Sequence, residues 1–243
     1  MPIFWNVSLT GAAAGLLLTQ NVYSHSIDSA INKEVHPAFD IRSASASTDG
    51  RLTTFAMEVA GVAGSVKPTA IGKLVGAKVE SYVWPTSLDP ALVGFDPKSG
   101  ILDLAITAHP DFDDTPLFDE NGDGDPANDG ANWHSHWVVL VEDDACGAGL
   151  KVRDVSPGVD LLPSTAPLLP IAIDSPGMSP MLDGNRARVT VPVSGTQKVS
   201  FDAVTAELQV NNEGVAPLLC VTGVHDIASG DLSLSGRVTL KSE

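Results

Sequence analysis

The chain is poor in positive charge. Its 14 Lys and Arg residues stand against 30 Asp and Glu, which gives a formal net charge of −16. Proteins bind phosphate backbones through clustered Lys and Arg side chains. The basic residues here are scattered along the sequence, and none lies between Ser99 and Leu150. This composition excludes nucleic acid as an expected partner and favours solubility, cation binding or life in a salty medium.

Long apolar runs are also lacking. The apolar run of residues 7–18 is too short to span a bilayer, and no later segment is longer and equally apolar. Val22 and Ser24 are tolerated residues at positions −3 and −1 of a signal-peptide cleavage site, although no Lys or Arg precedes Lys33. We predict a signal peptide over residues 1–24 and a single secreted or periplasmic domain over residues 25–243. The alternative is a buried N-terminal helix.

Cysteine is scarce, with Cys146 and Cys220 as the two examples. In an oxidising compartment, two cysteines that lie far apart in the sequence usually pair. The signal peptide therefore favours a disulfide between them. The alternative is two buried free thiols.

Helix signals are weak and strand signals dominate. Residues 40–47 alternate in polarity, Asp49 and Gly50 form a turn signal, and residues 52–59 continue the pattern, which is typical of a hairpin. We predict an all-β fold, either a β-sandwich or a Greek-key barrel of about ten antiparallel strands. The further predicted strands cover residues 78–84, 101–107, 134–141, 150–155, 188–193, 199–210, 218–225 and 232–240.

A proline-rich segment over residues 161–184 interrupts these strands. It forms either a linker between two small domains or a long crossover between sheets. We favour the crossover because Cys146 and Cys220 lie on opposite sides of the segment, and a disulfide would make the two halves one unit.

An acidic, glycine-rich loop contains eight carboxylates between Asp111 and Asp129. Its residues 119–124 fit the opening of an EF-hand-type calcium loop, but Gly130 stands where that motif has its closing glutamate. Oxygen donors at alternating positions suit Ca²⁺. We predict a structural calcium ion, and the alternative is a flexible, solvated acidic turn. The predicted calcium ligands are Asp119, Asn121, Asp123, Asp125 and Asp129.

Two histidines, His134 and His136, begin the apolar run that follows this loop. Side chains at positions i and i+2 of a strand point to the same face about 6.5–7 Å apart, a span that one metal ion bridges. We predict a copper or zinc site at this pair. The alternative is two histidines at a strand end that form hydrogen bonds with neighbouring carboxylates.

Such a site requires a third ligand, for which the sequence offers two candidates. We prefer His225, because a disulfide through Cys220 would bring its strand close to the His134 strand. His109 is the second candidate, at the end of the predicted strand 101–107, where the acidic loop begins. Three imidazoles suit Zn²⁺ or Cu²⁺.

The predicted function is therefore metal binding by a secreted or periplasmic protein, with copper or zinc at the histidines and calcium in the acidic loop. One alternative is a metal-dependent hydrolase or lyase that uses a metal-activated water near Glu142. Another is an extracellular interaction module that calcium stiffens.

Overall fold

A computed structural model of the protein describes residues 23–49, 51–156, 158, 169–193 and 200–229. These residues form twelve β-strands and two short 3₁₀ helices, Pro90–Val93 and Asp129–Ala131. The strands are β1 (Tyr23–Asp28), β2 (Ile41–Thr48), β3 (Thr53–Val59), β4 (Lys78–Thr86), β5 (Ile101–Ala108), β6 (His134–Glu142), β7 (Leu150–Val152), β8 (Ile173–Asp174), β9 (Met181–Asp183), β10 (Arg186–Val191), β11 (Ala203–Val210) and β12 (Leu219–Ala228).

The strands form two antiparallel sheets. The first has the order β1-β2-β3-β10-β9. The second has the order β5-β4-β11-β12-β7-β6-β8, and the additional pairing of β5 with β6 closes six of its strands into a barrel. Closure removes the exposed strand edges that an open sheet leaves. Strand β8 pairs with Trp137 and Val138 of β6, on the edge of β6 that β7 also occupies.

Two hydrophobic cores follow from side-chain alternation along the barrel strands. Tyr82 and Trp84 on β4 point out of the barrel and pack with residues of the first sheet. Val79 and Val83, on the opposite face of the same strand, fill the barrel interior. Barrel strands beside the first sheet are therefore buried on both faces, which explains why β4, β5 and β6 carry long apolar stretches.

The predicted all-β class is confirmed, with one sheet closed into a barrel and a second sheet packed on it. The predicted disulfide is also confirmed, because Cys146 and Cys220 are bonded and the described residues contain no free cysteine. The chain passes from the barrel sheet to the first sheet between β8 and β9, within the predicted crossover.

Two further predictions fall largely outside the described residues. Residues 1–22 of the predicted signal peptide are among those not described, and its last two residues, Tyr23 and Ser24, pair with β2. The predicted strand 232–240 also lies outside the described residues. In the described part of the chain, no helix has the length and apolar character needed to cross a membrane.

Candidate metal centre

Strand β6 places two histidines at one end of the barrel. His134 and His136 point into the barrel together with Val138 and Leu140, while Trp137 on the opposite face packs in the core between the sheets. Antiparallel pairing with β5 sets His136 opposite Ala105. Both histidines are 1 % exposed, so their ring nitrogens have almost no contact with bulk water.

The segment that follows β5 supplies two more ligand candidates. His109 comes directly after the strand, and its Nδ1 is 2.8 Å from the carbonyl oxygen of Phe112. The Phe112 ring stacks on the His109 imidazole with a centroid distance of 4.0 Å. This tight turn carries the chain back over the barrel end, so that Asp114, which is 3 % exposed, meets the histidines.

Four ligand atoms converge at this end of the barrel. The Asp114 Oδ1 atom lies 3.1 Å from His109 Nε2, 3.1 Å from His134 Nε2 and 3.4 Å from His136 Nε2. The Nε2 atoms of His109 and His134 are 2.9 Å apart. One ligand atom from each residue lies within 4.8 Å of the other three, and no other such group of His, Cys, Asp or Glu occurs among the described residues.

Hydrogen bonds at the far side of each imidazole fix which nitrogen faces the centre. His134 Nδ1 is 2.7 Å from the Asn132 carbonyl oxygen, just as His109 Nδ1 faces the Phe112 carbonyl. Carbonyl oxygens only accept, so both Nδ1 atoms carry the proton. His136 Nδ1 lies 3.0 Å from Ser175 Oγ, which donates its own proton to the Asp114 carbonyl oxygen and therefore accepts from His136.

A neutral imidazole that is protonated at Nδ1 presents a lone pair at Nε2. Three such lone pairs and a carboxylate oxygen therefore face one another in a buried space. The His136 Nε2 atom has no hydrogen-bond partner at all among the described residues. This arrangement is repulsive unless protons or a cation occupy the centre, and fixed tautomers of this kind are the usual supporting feature of metal-binding histidines.

The residues of the cluster differ in the direction in which their pKa values are shifted. Burial raises the pKa of Asp114, but the attraction to His109 and His136 when these are protonated and the hydrogen bonds from His109 and His134 lower it more, so this pKa lies well below its usual range. Burial lowers the pKa of His136 to about 3, against the opposing attraction of Asp114. Burial also lowers the pKa of His134, but the hydrogen bond and charge of Asp114 reverse this and raise it overall. A carboxylate anion and a neutral His136 result.

The preferred third ligand of the sequence analysis lies elsewhere. His225 Nε2 is 2.7 Å from Glu80 Oε2, and its ring stacks on Phe39 at a centroid distance of 4.3 Å. The pairing of β12 with β11 passes from Asp226 directly to Val224, so His225 is the extra residue of a β-bulge. Val224 lines the barrel interior, and the adjacent His225 faces outward, away from His134 and His136.

The acidic loop uses its carboxylates mainly in hydrogen bonds to its own backbone. The Asp119 carboxylate accepts from the amides of Gly122, Asp123 and Gly124 at 2.6–3.2 Å. Its Asp119, Asn121, Asp123 and Asp125 side chains stand at the exposed surface, and no three of its carboxylates come as close together as the histidine cluster does. The calcium site stays a prediction.

Asp129, by contrast, is fully buried and organises the loop around the centre. Its carboxylate accepts from the Glu120 amide at 2.8 Å and from the Asn132 side chain at 2.8 Å. The next residue, Gly130, accepts from the His109 amide at 2.7 Å, and a Cβ atom there would overlap the Phe112 carbonyl oxygen. The glycine that replaces the closing glutamate of the calcium motif is thus required by this close approach.

Asp114 is the ligand candidate that sequence reasoning missed. The sequence contains one signal for it, because an H-P-x-F-D pattern begins at His109 and a further aspartate follows directly. Which of the neighbouring carboxylates faces the histidines depends on the turn that Phe112 makes, and the sequence pattern does not determine that turn. Comparison of the chain with protein-family models, curated proteins and solved structures found no match.

Proposed function

We propose that the protein binds one divalent transition-metal ion through His109, Asp114, His134 and His136, and that this ion is zinc in preference to copper. The observation that carries the proposal is the convergence of three Nε2 lone pairs on one Asp114 oxygen, each imidazole being held by a hydrogen bond at its Nδ1. A cation at the centre converts the repulsion among these groups into attraction.

The distances between the ligand atoms support tetrahedral coordination of the ion. Bonds of about 2.0–2.1 Å place neighbouring ligands of a tetrahedron about 3.3 Å apart, whereas trans ligands of a square-planar ion lie about 4 Å apart. The Asp114 oxygen is 3.1–3.4 Å from all three Nε2 atoms, so none of them stands trans to it. Zn²⁺ accepts this geometry without penalty, while Cu²⁺ prefers tetragonal arrangements.

Four protein ligands that are all nearly inaccessible to water favour a holding role over turnover, because catalytic zinc sites keep one position for water or substrate. The centre joins β5 and β6 to the loop over residues 109–115, so an ion there would tie the loop to the barrel end. We therefore place metal binding ahead of the hydrolase or lyase alternative. The disulfide is compatible with a secreted or periplasmic location.

Elemental analysis of the purified protein tests the proposal. We expect one zinc ion per chain, or one after chelation and reloading, and loss of the ion in a His134→Gln/His136→Gln variant. A His36→Gln/His225→Gln variant is the matched control, because it removes two imidazoles that lie outside the centre, and it should keep the ion.

Cobalt substitution reports the geometry, since four-coordinate Co²⁺ absorbs visible light far more strongly than six-coordinate Co²⁺. An intense visible spectrum that the His134→Gln/His136→Gln variant lacks would support the tetrahedral centre. If the wild-type protein takes up none of Zn²⁺, Cu²⁺ and Co²⁺ after reloading, the proposal is disproved. If it binds one Cu²⁺ per chain and no Zn²⁺, the choice of metal is wrong.

A further inference from the structure

A cavity of about 120 Å³ leads from the surface to His134. Asp119, Gly177 and Ser179 lie at its exposed mouth, and the buried His134 and Ser135 lie at its base. The walls between them are half-buried and consist of Phe118, Glu120 and Met178. His134 therefore stands between this cavity and the centre.

A second cavity reaches the centre from the opposite side. It lies in the barrel interior, has a volume of about 60 Å³, and ends at His109, Asp114 and His136. Its other walls are mainly valine, leucine and alanine side chains of the barrel core. A hydrated divalent cation gains no replacement for its water ligands from such walls, so this side is a high barrier to an ion.

Glu120 supplies the surface cavity with a carboxylate oxygen that can coordinate a cation. Its backbone is fixed by the hydrogen bond from its amide to the buried Asp129 carboxylate. Its carboxyl group interacts with Thr115 and with His134, and its Oε2 atom is buried without a hydrogen-bond partner among the described residues. A carboxylate oxygen in this position can replace water on a hydrated ion before the ion reaches His134.

We propose that this cavity is the loading route of the metal centre, and that Glu120 is a transit ligand that holds an incoming divalent cation and passes it to His134. The inference rests on the proposed metal binding. The surrounding carboxylates raise the local concentration of cations and so favour capture at the mouth.

A transit ligand lowers the barrier between free and bound metal, and it therefore speeds entry and exit alike. The test measures the rate of Zn²⁺ loading into the chelator-treated protein, the rate of Zn²⁺ release to excess chelator, and the stoichiometry. For Glu120→Gln we expect both rates to fall about tenfold, within the range of electrostatic effects on association, with the dissociation constant and stoichiometry kept.

Glu142→Gln is the matched control, because it removes the same charge at the exposed opposite end of β6, and its rates should equal those of the wild type. Ser179→Phe narrows the mouth without touching the centre and should also slow both rates. This second variant keeps the test valid if Glu120→Gln folds poorly.

Wild-type rates in both Glu120→Gln and Ser179→Phe would overturn the route. Slower loading accompanied by faster release and weaker binding would make Glu120 a ligand of the bound ion, which also overturns its transit role. Failure of the wild type to take up Zn²⁺ would instead remove the metal centre itself, so the two proposals fail on different observations.

Discussion

At the scale of single residues, Ser175 and Asp103 make the sharpest contrast among the buried polar side chains. Both are inaccessible to solvent. Ser175 accepts from one candidate ligand, His136, and donates to the backbone of another, Asp114. Asp103 is buried on β5 and, apart from the Leu140 amide, its carboxyl oxygens have no hydrogen-bond partner among the described residues. The first supports the centre, and the second is a cost to the fold.

Replacing Ser175 by alanine tests the support of the centre. The Ser175→Ala variant leaves the His136 Nδ1 proton without its acceptor, and we expect the metal affinity to fall about 10- to 100-fold, as is usual when an outer hydrogen bond to a ligating histidine is lost. Competition with a chelator of known affinity measures this. Ser65→Ala, which removes a surface hydroxyl, is the control and should bind like the wild type. Equal affinity in the two variants would contradict the role of Ser175.

Asp103 predicts a pH dependence of folding stability. Burial raises its pKa well above the usual range, and the Leu140 amide opposes this only in part. The folded protein therefore holds the proton more tightly than the unfolded chain. The contribution of Asp103 is fully present below the unfolded pKa, and about 1.4 kcal/mol is lost for each pH unit above it until the folded pKa is reached.

The Asp103→Asn variant does not titrate and should lack this loss. Urea unfolding of both proteins in the presence of chelator, from acid to neutral pH, measures the difference in unfolding free energy. We expect the stability of Asp103→Asn relative to the wild type to rise with pH. An exposed control, Asp125→Asn, should show no comparable trend, and a pH-independent difference for Asp103→Asn would show that Asp103 ionises normally.

At the scale of elements, the alternation of β6 and the bulge in β12 determine which histidines lie close together. The alternation of β6 correctly predicted that His134 and His136 share a face, because alternation is a local property of an extended backbone. The bulge in β12 places His225 on the outer face, where it pairs with Glu80. A bulge depends on how one strand pairs with another, and the residues of β12 alone do not predict it.

The acidic loop carries the remaining element-scale prediction, a bound calcium ion. If Ca²⁺ binds at the predicted oxygen ligands, it should raise the melting temperature of the wild type through mass action, and Asp123→Ala should reduce that rise. Thermal unfolding with Ca²⁺, with Mg²⁺ and with chelator measures it, and Glu34→Ala removes an exposed charge elsewhere as the control. The same rise in Asp123→Ala as in the wild type would exclude calcium at this residue.

At the scale of the whole molecule, the candidate metal centre and the disulfide lie at opposite ends of β6. The candidate centre lies at the His134 end, whereas the disulfide joins Cys146, in the turn after β6, to Cys220 on β12. Strand β7 lies between β6 and β12, so the bond ties three neighbouring barrel strands together.

Removing this bond should destabilise the fold and spare the centre. The bond spans a sequence separation of 74 residues. Such a closure is worth roughly 4 kcal/mol in the chain-entropy model. We expect Cys146→Ala/Cys220→Ala to lose stability of this order in urea unfolding and to keep the wild-type metal stoichiometry under native conditions. Loss of the metal from the folded variant would show that the two ends of β6 are coupled.

The sequence by itself determined the all-β class, the pairing of the two cysteines and the shared face of His134 and His136. These features depend on composition and on the period of an extended chain, which any strand obeys. The tertiary structure decided that His109 and Asp114 join the pair and that His225 does not. A turn, a bulge and barrel closure set those contacts, and each depends on residues that lie far apart in the chain.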